Sequence, residues 1–291
     1  MLLHALAGGL VYGCYFALLG LGLNLVFGVM RIVNLAHGDL IMLGAMAAYF
    51  LYHLAGLSPL WAAPLVAAGF FLLALPLYAA LLPRLLAARE AEMLSFTLFF
   101  GLQQIIEALA AIAFGPSERS LPARSLAAGP IVLLGQSVPK SWAFSALVAV
   151  IAIGLFYLYL HHTRLGLFTR AVMASPEEAA ASGIDLSRIS AIAFGLGVAL
   201  AGLAGVFAPF MLGSITPAMG ASLNLVAFAT VVVGSLGAPL GTIFGGLVYG
   251  VGLLLMQTYF STWADLLPDL LLIAILLFRP SGLLGRRLRV A

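Results

Sequence analysis

The chain has 291 residues, 64% of them hydrophobic and only 8% charged, with 13 Lys and Arg against 10 Asp and Glu. An ordinary soluble domain carries roughly 25% charged residues, so a water-soluble fold, which must cover its surface with polar groups, is excluded. The lone cysteine, Cys14, excludes an intrachain disulfide, and no basic, aromatic-bearing surface for nucleic acid is visible.

A membrane-spanning segment must be a helix or part of a closed barrel, because hydrocarbon offers the backbone no hydrogen-bond partner. Barrel strands alternate polar and apolar residues. Here the apolar runs are continuous and rich in Leu, Ala and Gly, which predicts an all-α, polytopic membrane protein. The first segment, MLLHALAGGL onward, lacks the basic start of a cleavable signal and reads as a span. In chain order the spans fall near 5–29, 38–56, 60–82, 93–114, 141–161, 189–212 and 263–279. Residues 222–260 are too long for one helix and are interrupted from Gly234 through Gly237 and Pro239 to Gly241. That break predicts two short spans or a re-entrant helical hairpin, for about eight spans in one transmembrane domain over 1–291. Irregular backbone at membrane depth is tolerated only where protein or a water-filled cavity covers it, so Gly234, Gly237 and Gly241 are candidates for a translocation path or mark a plain helix kink. Gly241, Gly245, Gly246 and Gly250 should mark a closely packed helix face.

Between 164 and 188 lie six of the charged residues: Arg164, Arg170, Glu177, Glu178, Asp185 and Arg188. No Asp, Glu, Lys or Arg occurs from Ser141 to Thr163, or in the 76 residues from Ile189 to Ala264. Such an island is an aqueous loop between spans. Lys and Arg gather on the cytoplasmic side. A cytoplasmic island puts Arg31, Arg84, Arg89 and the tail Arg279, Arg286, Arg287 and Arg289 on the same side. Only Arg119, Arg124 and Lys140 are then outside, with the N-terminus out and the C-terminus in. Within the island, Ser175-Pro176-Glu177-Glu178 is a capping box, in which Ser175 caps the helix start and Glu178 reaches back. Pro176 suits the first helical position and Gly183 the left-handed position past the end. A short helix from Pro176 to Ser182 follows, able to pass a push from a soluble partner to the adjacent spans. Arg164, Arg170 and Arg188 flank it, facing lipid headgroups or an acidic partner surface.

Two further polar groups stand against the apolar background. Asn34, His37, Gly38 and Asp39 lie between the first two spans, where a charge near membrane depth is costly and a helix N-terminus favours an acid. Gln103, Gln104 and Glu107 sit within an apolar span, with Gln103 and Glu107 on one face; they line a path or bond a neighbouring helix. A weak echo pairs Asn24-Leu25-Val26 with Asn224-Leu225-Val226, each ahead of a glycine-containing break. The sole lysine, Lys140, follows Pro139, so there is no nucleotide-binding P-loop, and no cysteine pair or H-E-x-x-H for a metal. No cofactor is expected in this chain, and nucleotide energy would have to come from another subunit. A self-sufficient ion-coupled transporter would need buried carboxylates, for which only Asp39 and Glu107 qualify, and would leave the capped helix unexplained. A membrane enzyme lacks a paired nucleophile and base.

With these residues in view, the chain resembles the branched-chain amino acid permeases of ATP-binding cassette importers, of the H type of the Liv system. The resemblance runs nearly end to end. It rests on Leu21-Gly22-Leu23-Asn24-Leu25-Val26-Phe27-Gly28, Asn34-Leu35-Ala36-His37-Gly38-Asp39, Gly183-Ile184, the Gly234–Gly241 run and Phe278-Arg279-Pro280-Ser281-Gly282. The broader importer class carries Glu-Ala-Ala, three residues, then Gly, whereas here Glu178-Ala179-Ala180 stands two residues before Gly183. The resemblance implies a bacterial cytoplasmic-membrane subunit with no enzymatic activity of its own. It would pair with a second, M-type permease, two cytoplasmic ATPase subunits that use ATP, and an extracytoplasmic amino-acid-binding protein. It also implies that the 164–188 loop couples to the ATPases through Arg170, Ser175, Pro176, Glu177, Glu178, Gly183 and Ile184. Urea, amide and aromatic-acid importers share this permease type.

Overall fold

A computed structural model describes residues 1–133 and 135–285. The tail arginines Arg286, Arg287 and Arg289 lie outside the described residues. Strings of apolar residues become helices because each backbone bond is closed within its own segment. In chain order these are α1 (Leu2–Met30), α2 (His37–Ala55), α3 (Pro59–Leu86), α4 (Ala91–Phe114), α5 (Lys140–His162), α6 (Arg164–Ala174), α7 (Pro176–Ala181), α8 (Leu186–Leu212), α9 (Gly220–Gly234), α10 (Pro239–Tyr259) and α11 (Leu267–Phe278). A two-stranded antiparallel hairpin, β1 (Pro130–Leu133) and β2 (Gln136–Pro139), precedes α5.

Nine helical segments among the described residues are long and apolar enough to cross a membrane, so the chain is a polytopic membrane protein. Seven of them match the spans read from the sequence, and the break at 222–260 takes the form of two short spans rather than a re-entrant hairpin. Residues 222–260 form two such segments, because Ser235 to Ala238 leaves the helical path and Pro239 starts a new helix. Two elements went unforeseen, the β1–β2 hairpin and the 11-residue α6. The latter has mixed polarity, unlike the apolar runs that mark the spans.

Helix α1 is the centre of the bundle, contacted by α5, α8, α9 and α10. Lipid tails are as apolar as the helices, so association relies on close backbone packing. On the glycine face of α10, a Cβ at Gly246 would strike the Ala17 backbone, and one at Gly250 the Gly13 backbone. The predicted packed face is present. In contrast, α4 is mostly exposed on its own, with outward Met93, Phe100, Leu109 and Ile112.

Candidate functional site

The turn between α1 and α2 does not stay at the end of the bundle. Residues Ile32, Val33, Asn34 and Ala36 are buried, and the chain doubles back into the protein before α2 starts. His37 Nε2 donates to the carbonyl of Leu19 at 3.0 Å, although α1 continues to Met30. At 1.5 Å per residue, that places the start of α2 about 16 Å up from the end of α1. Asn34 builds the turn: its Oδ1 accepts from Ala36 N at 3.1 Å, and its carbonyl accepts from His37 N at 3.2 Å. A helix N-terminus at membrane depth, reached by irregular backbone buried in protein, is a recurrent feature of transporter sites.

The first turn of α2 meets the start of α9. A Cβ on Gly38 would collide with the Gly220 carbonyl oxygen and Asn224, and one on Gly220 with Asp39 Oδ1. The two glycines therefore permit this crossing. Asp39 is fully buried, and neither of its oxygens has a hydrogen-bond partner among the described residues. His37 Nδ1 and Asn224 Oδ1 are also buried without one. Glu107 on α4 is half-buried. Helix α4, which carries Gln103 and Glu107, packs against both α2 and α9. Gln103 shares the inward face with Glu107, whereas Gln104 points outward and is exposed.

The Gly234–Gly241 break lies elsewhere, at the end of the bundle that holds the charged island. Buried Asn24 of α1 organises it. Its Nδ2 donates to Ser235 O at 3.2 Å, to Ala238 O at 3.0 Å and to Thr242 Oγ1, while its Oδ1 accepts from Gly237 N at 2.6 Å. Gly237 has a φ of 74°, and Gly234 and Gly241 touch through their backbones. Beyond α11, Leu283 N and Leu284 N donate to Val233 O and Gly234 O at 2.9 and 3.2 Å, covering the end of α9. The break is a tightly bonded turn joining two spans. Sequence reasoning singled out its glycines and gave Asn24 only as part of a weak echo and a motif, without a role, although an amide in an otherwise apolar span was its signal.

The island is helical through most of its length. Thr163 caps α6 by accepting from Gly166 N at 2.9 Å. Ser175 Oγ accepts from Glu178 N at 3.3 Å, as the capping box requires. The return bond from Glu178 is not made, because Ser175 N already donates to Ala171 O at 3.0 Å in the last turn of α6. Ser182 caps the end of α7 rather than belonging to it. Gly183, at φ 81°, donates to Ala180 O at 2.9 Å and Ile184 N to Ala179 O at 3.1 Å, the paired bonds of a Schellman motif. Glu177, Glu178 and Gly183 are exposed, as is Arg170 on α6. Arg31 Nη2 donates to Met173 O at 3.0 Å, and Met173 packs against Gly28, which faces Gly237. The end of α6, the last turn of α1 and the α9–α10 turn form one contact cluster.

At the far end of the bundle, Arg119 and Ile215 exchange two backbone bonds of 2.9 and 2.8 Å. The Arg119 guanidinium lies over Tyr49 and Phe50, 5.0 and 5.4 Å from the ring centroids. These contacts tie α2 to the segments after α4 and α8.

A many-span helical bundle with a buried polar turn and a capped helical loop is a polytopic membrane protein. The family described as the permease component of branched-chain amino acid transport systems matches residues 5–276, and the chain belongs to it. It is 28% identical to the high-affinity branched-chain amino acid transport system permease protein LivH of Salmonella typhimurium, over 98% of this chain and 96% of the relative. It is 29% identical to a probable branched-chain amino acid transport permease protein LivH of Methanocaldococcus jannaschii, over 96% and 91%. The ribose import permease protein RbsC of Escherichia coli is 33% identical over 36% of this chain and 34% of its own. No solved structure shows a significant match.

Proposed function

We propose that this chain is one transmembrane half of an ATP-binding cassette importer for branched-chain amino acids. The observation that carries the reading is the contact cluster at the island end: Met173 of α6 rests on Gly28 of α1, opposite Gly237 of the α9–α10 turn. A load applied to α6 and α7 from an ATPase subunit would reach α1 and the paired spans α9 and α10 directly. The exposed, doubly capped α7 is the docking piece, with Ser175, Pro176, Glu177, Glu178, Gly183 and Ile184 setting its shape. On this reading the 164–188 loop is cytoplasmic, the N-terminus outside and the C-terminus inside a bacterial cytoplasmic membrane. The whole chain acts as one transmembrane unit beside an M-type permease, two ATPases and an extracytoplasmic binding protein.

The junction of Asn34, His37, Gly38, Asp39, Gln103 and Glu107 borders the translocation path. It offers acceptors for an ammonium group but no cationic side chain for a carboxylate, so most of the selectivity belongs to the binding protein. Family membership and similarity along nearly the full length of relatives named for branched-chain amino acid transport support the substrate class. The test is leucine uptake by proteoliposomes holding this chain, the second permease, both ATPases and the binding protein. Uptake that requires ATP and every component is expected. Uptake by this chain alone without nucleotide would replace the reading with an ion-coupled carrier, and uptake of urea or amides in preference to leucine would overturn the substrate.

A further inference from the structure

A cavity of about 460 Å³ opens between α1, α5, α6 and the start of α10. Leu21, Ile153, Phe156, Leu240 and Ile243 form its apolar wall, and Arg170 and His161 stand on its lining at the island end. None of the residues described as lining it is acidic. His161 stacks on Tyr157 with ring centroids 4.0 Å apart, and its Nδ1 donates to Tyr157 O at 3.1 Å, so the neutral ring has no further N–H to offer an anion.

The place of the cavity in the bundle decides what fills it. The bond from Arg31 to Met173 fixes α6 at the end of α1. Leu21 lies nine residues before Met30, so the cavity reaches about 14 Å down from that level. Helix α6 exposes Leu167 and Phe168 beside Arg164 and Arg170, the composition of a helix lying in the headgroup region. Leu240 and Tyr157 are themselves about half exposed on the outer surface. A slot that is basic at headgroup level and apolar below, open to the bilayer, matches an acidic phospholipid in both charge and polarity. A free phosphate would satisfy Arg170 and leave the apolar wall empty.

We infer that this cavity binds an acidic phospholipid, with the phosphate on Arg170 and an acyl chain against Ile153, Phe156 and Ile243. The site does not depend on the transport reading, only on the chain being embedded in a membrane. Met173, Gly237 and Pro239 also line it, so the bound lipid bridges α6 and the α9–α10 turn.

The test is native mass spectrometry of the full chain in detergent, titrated with phosphatidylglycerol or with phosphatidylcholine of the same acyl chains. Phosphatidylglycerol should be retained more tightly. Arg170→Gln should weaken it about fivefold, as expected for one basic residue at an anionic headgroup, while Arg170→Lys keeps most of the preference. Ile243→Trp, which fills the cavity, should weaken both lipids. Thermal melting in detergent checks that each variant is folded. Equal retention of the two lipids by the wild type, or an unchanged preference in Arg170→Gln, would overturn the site. So would displacement of the lipid by water-soluble glycerol phosphate, which would make it a simple anion site. Loss of the lipid when the second permease is added would make this face a subunit interface instead.

Discussion

The side chain of Asn24 and the backbone of Gly237 are joined by a 2.6 Å hydrogen bond across 213 positions of sequence. Through it, one amide of the central helix α1 closes the turn between two spans. Asn24→Leu would leave the Gly237 N–H and the Ser235 and Ala238 carbonyls without that partner in a largely buried site. The expected cost is on the order of 2 kcal/mol, allowing for partial rescue by neighbours. It should appear as a lower melting temperature of the detergent-solubilised chain. An unchanged melt would show that the turn holds itself.

Gly38→Ala should be poorly tolerated, because its Cβ would enter the Gly220 carbonyl and force α2 away from α9. Overpacking of this kind costs about 1–3 kcal/mol. Gly69→Ala on α3 is the control, since nothing lies within 4 Å of its added methyl. Equal yields of folded protein from the two variants would remove the crossing from the account of stability.

Gly183→Val should separate ATP hydrolysis from transport. The position has open space around it but a φ of 81°, so the penalty is conformational, about 1–2 kcal/mol, and the Schellman end of α7 should rearrange. The complex is expected to assemble while the binding protein no longer stimulates its ATPase. Normal stimulation would exclude α7 from the coupling contact.

Ser182 is exposed just past α7. In a Cys14→Ala background, Ser182→Cys should resist an impermeant maleimide in intact spheroplasts and react once the membrane is opened. Prompt labelling of intact cells would reverse the proposed orientation.

Glu107→Gln should lower the maximal uptake rate by severalfold and leave the ranking of leucine, isoleucine, valine and urea unchanged. The substitution keeps the shape of a half-buried side chain and removes its charge. Competition assays in reconstituted vesicles read both quantities. A changed ranking at an unchanged rate would assign ligand selection to this chain.

What the sequence by itself determined is whatever depends on local composition and short-range chemistry. Continuous apolar runs between Ser141 and Thr163 and after Ile189 leave only helical spans possible. The caps at Ser175 and Gly183 are legible because capping acts within four residues, and the break at Gly234–Gly241 because glycine and proline interrupt a helix wherever they fall. The tertiary structure alone decided how these pieces meet. That the Asn34–Asp39 turn folds back to the level of Leu19 depends on a bond from His37 to another helix. That the helix carrying Glu107 lies beside the one carrying Asp39 depends on where α4 packs. The echo of Asn24 and Asn224 was visible, but not that one amide would bind the turn before α10 while the other stands against Gly38 at the start of α2. Helix packing in a bilayer is set by shape and small residues rather than by hydrophobic contrast, so an apolar sequence marks the spans without saying which of their faces will touch.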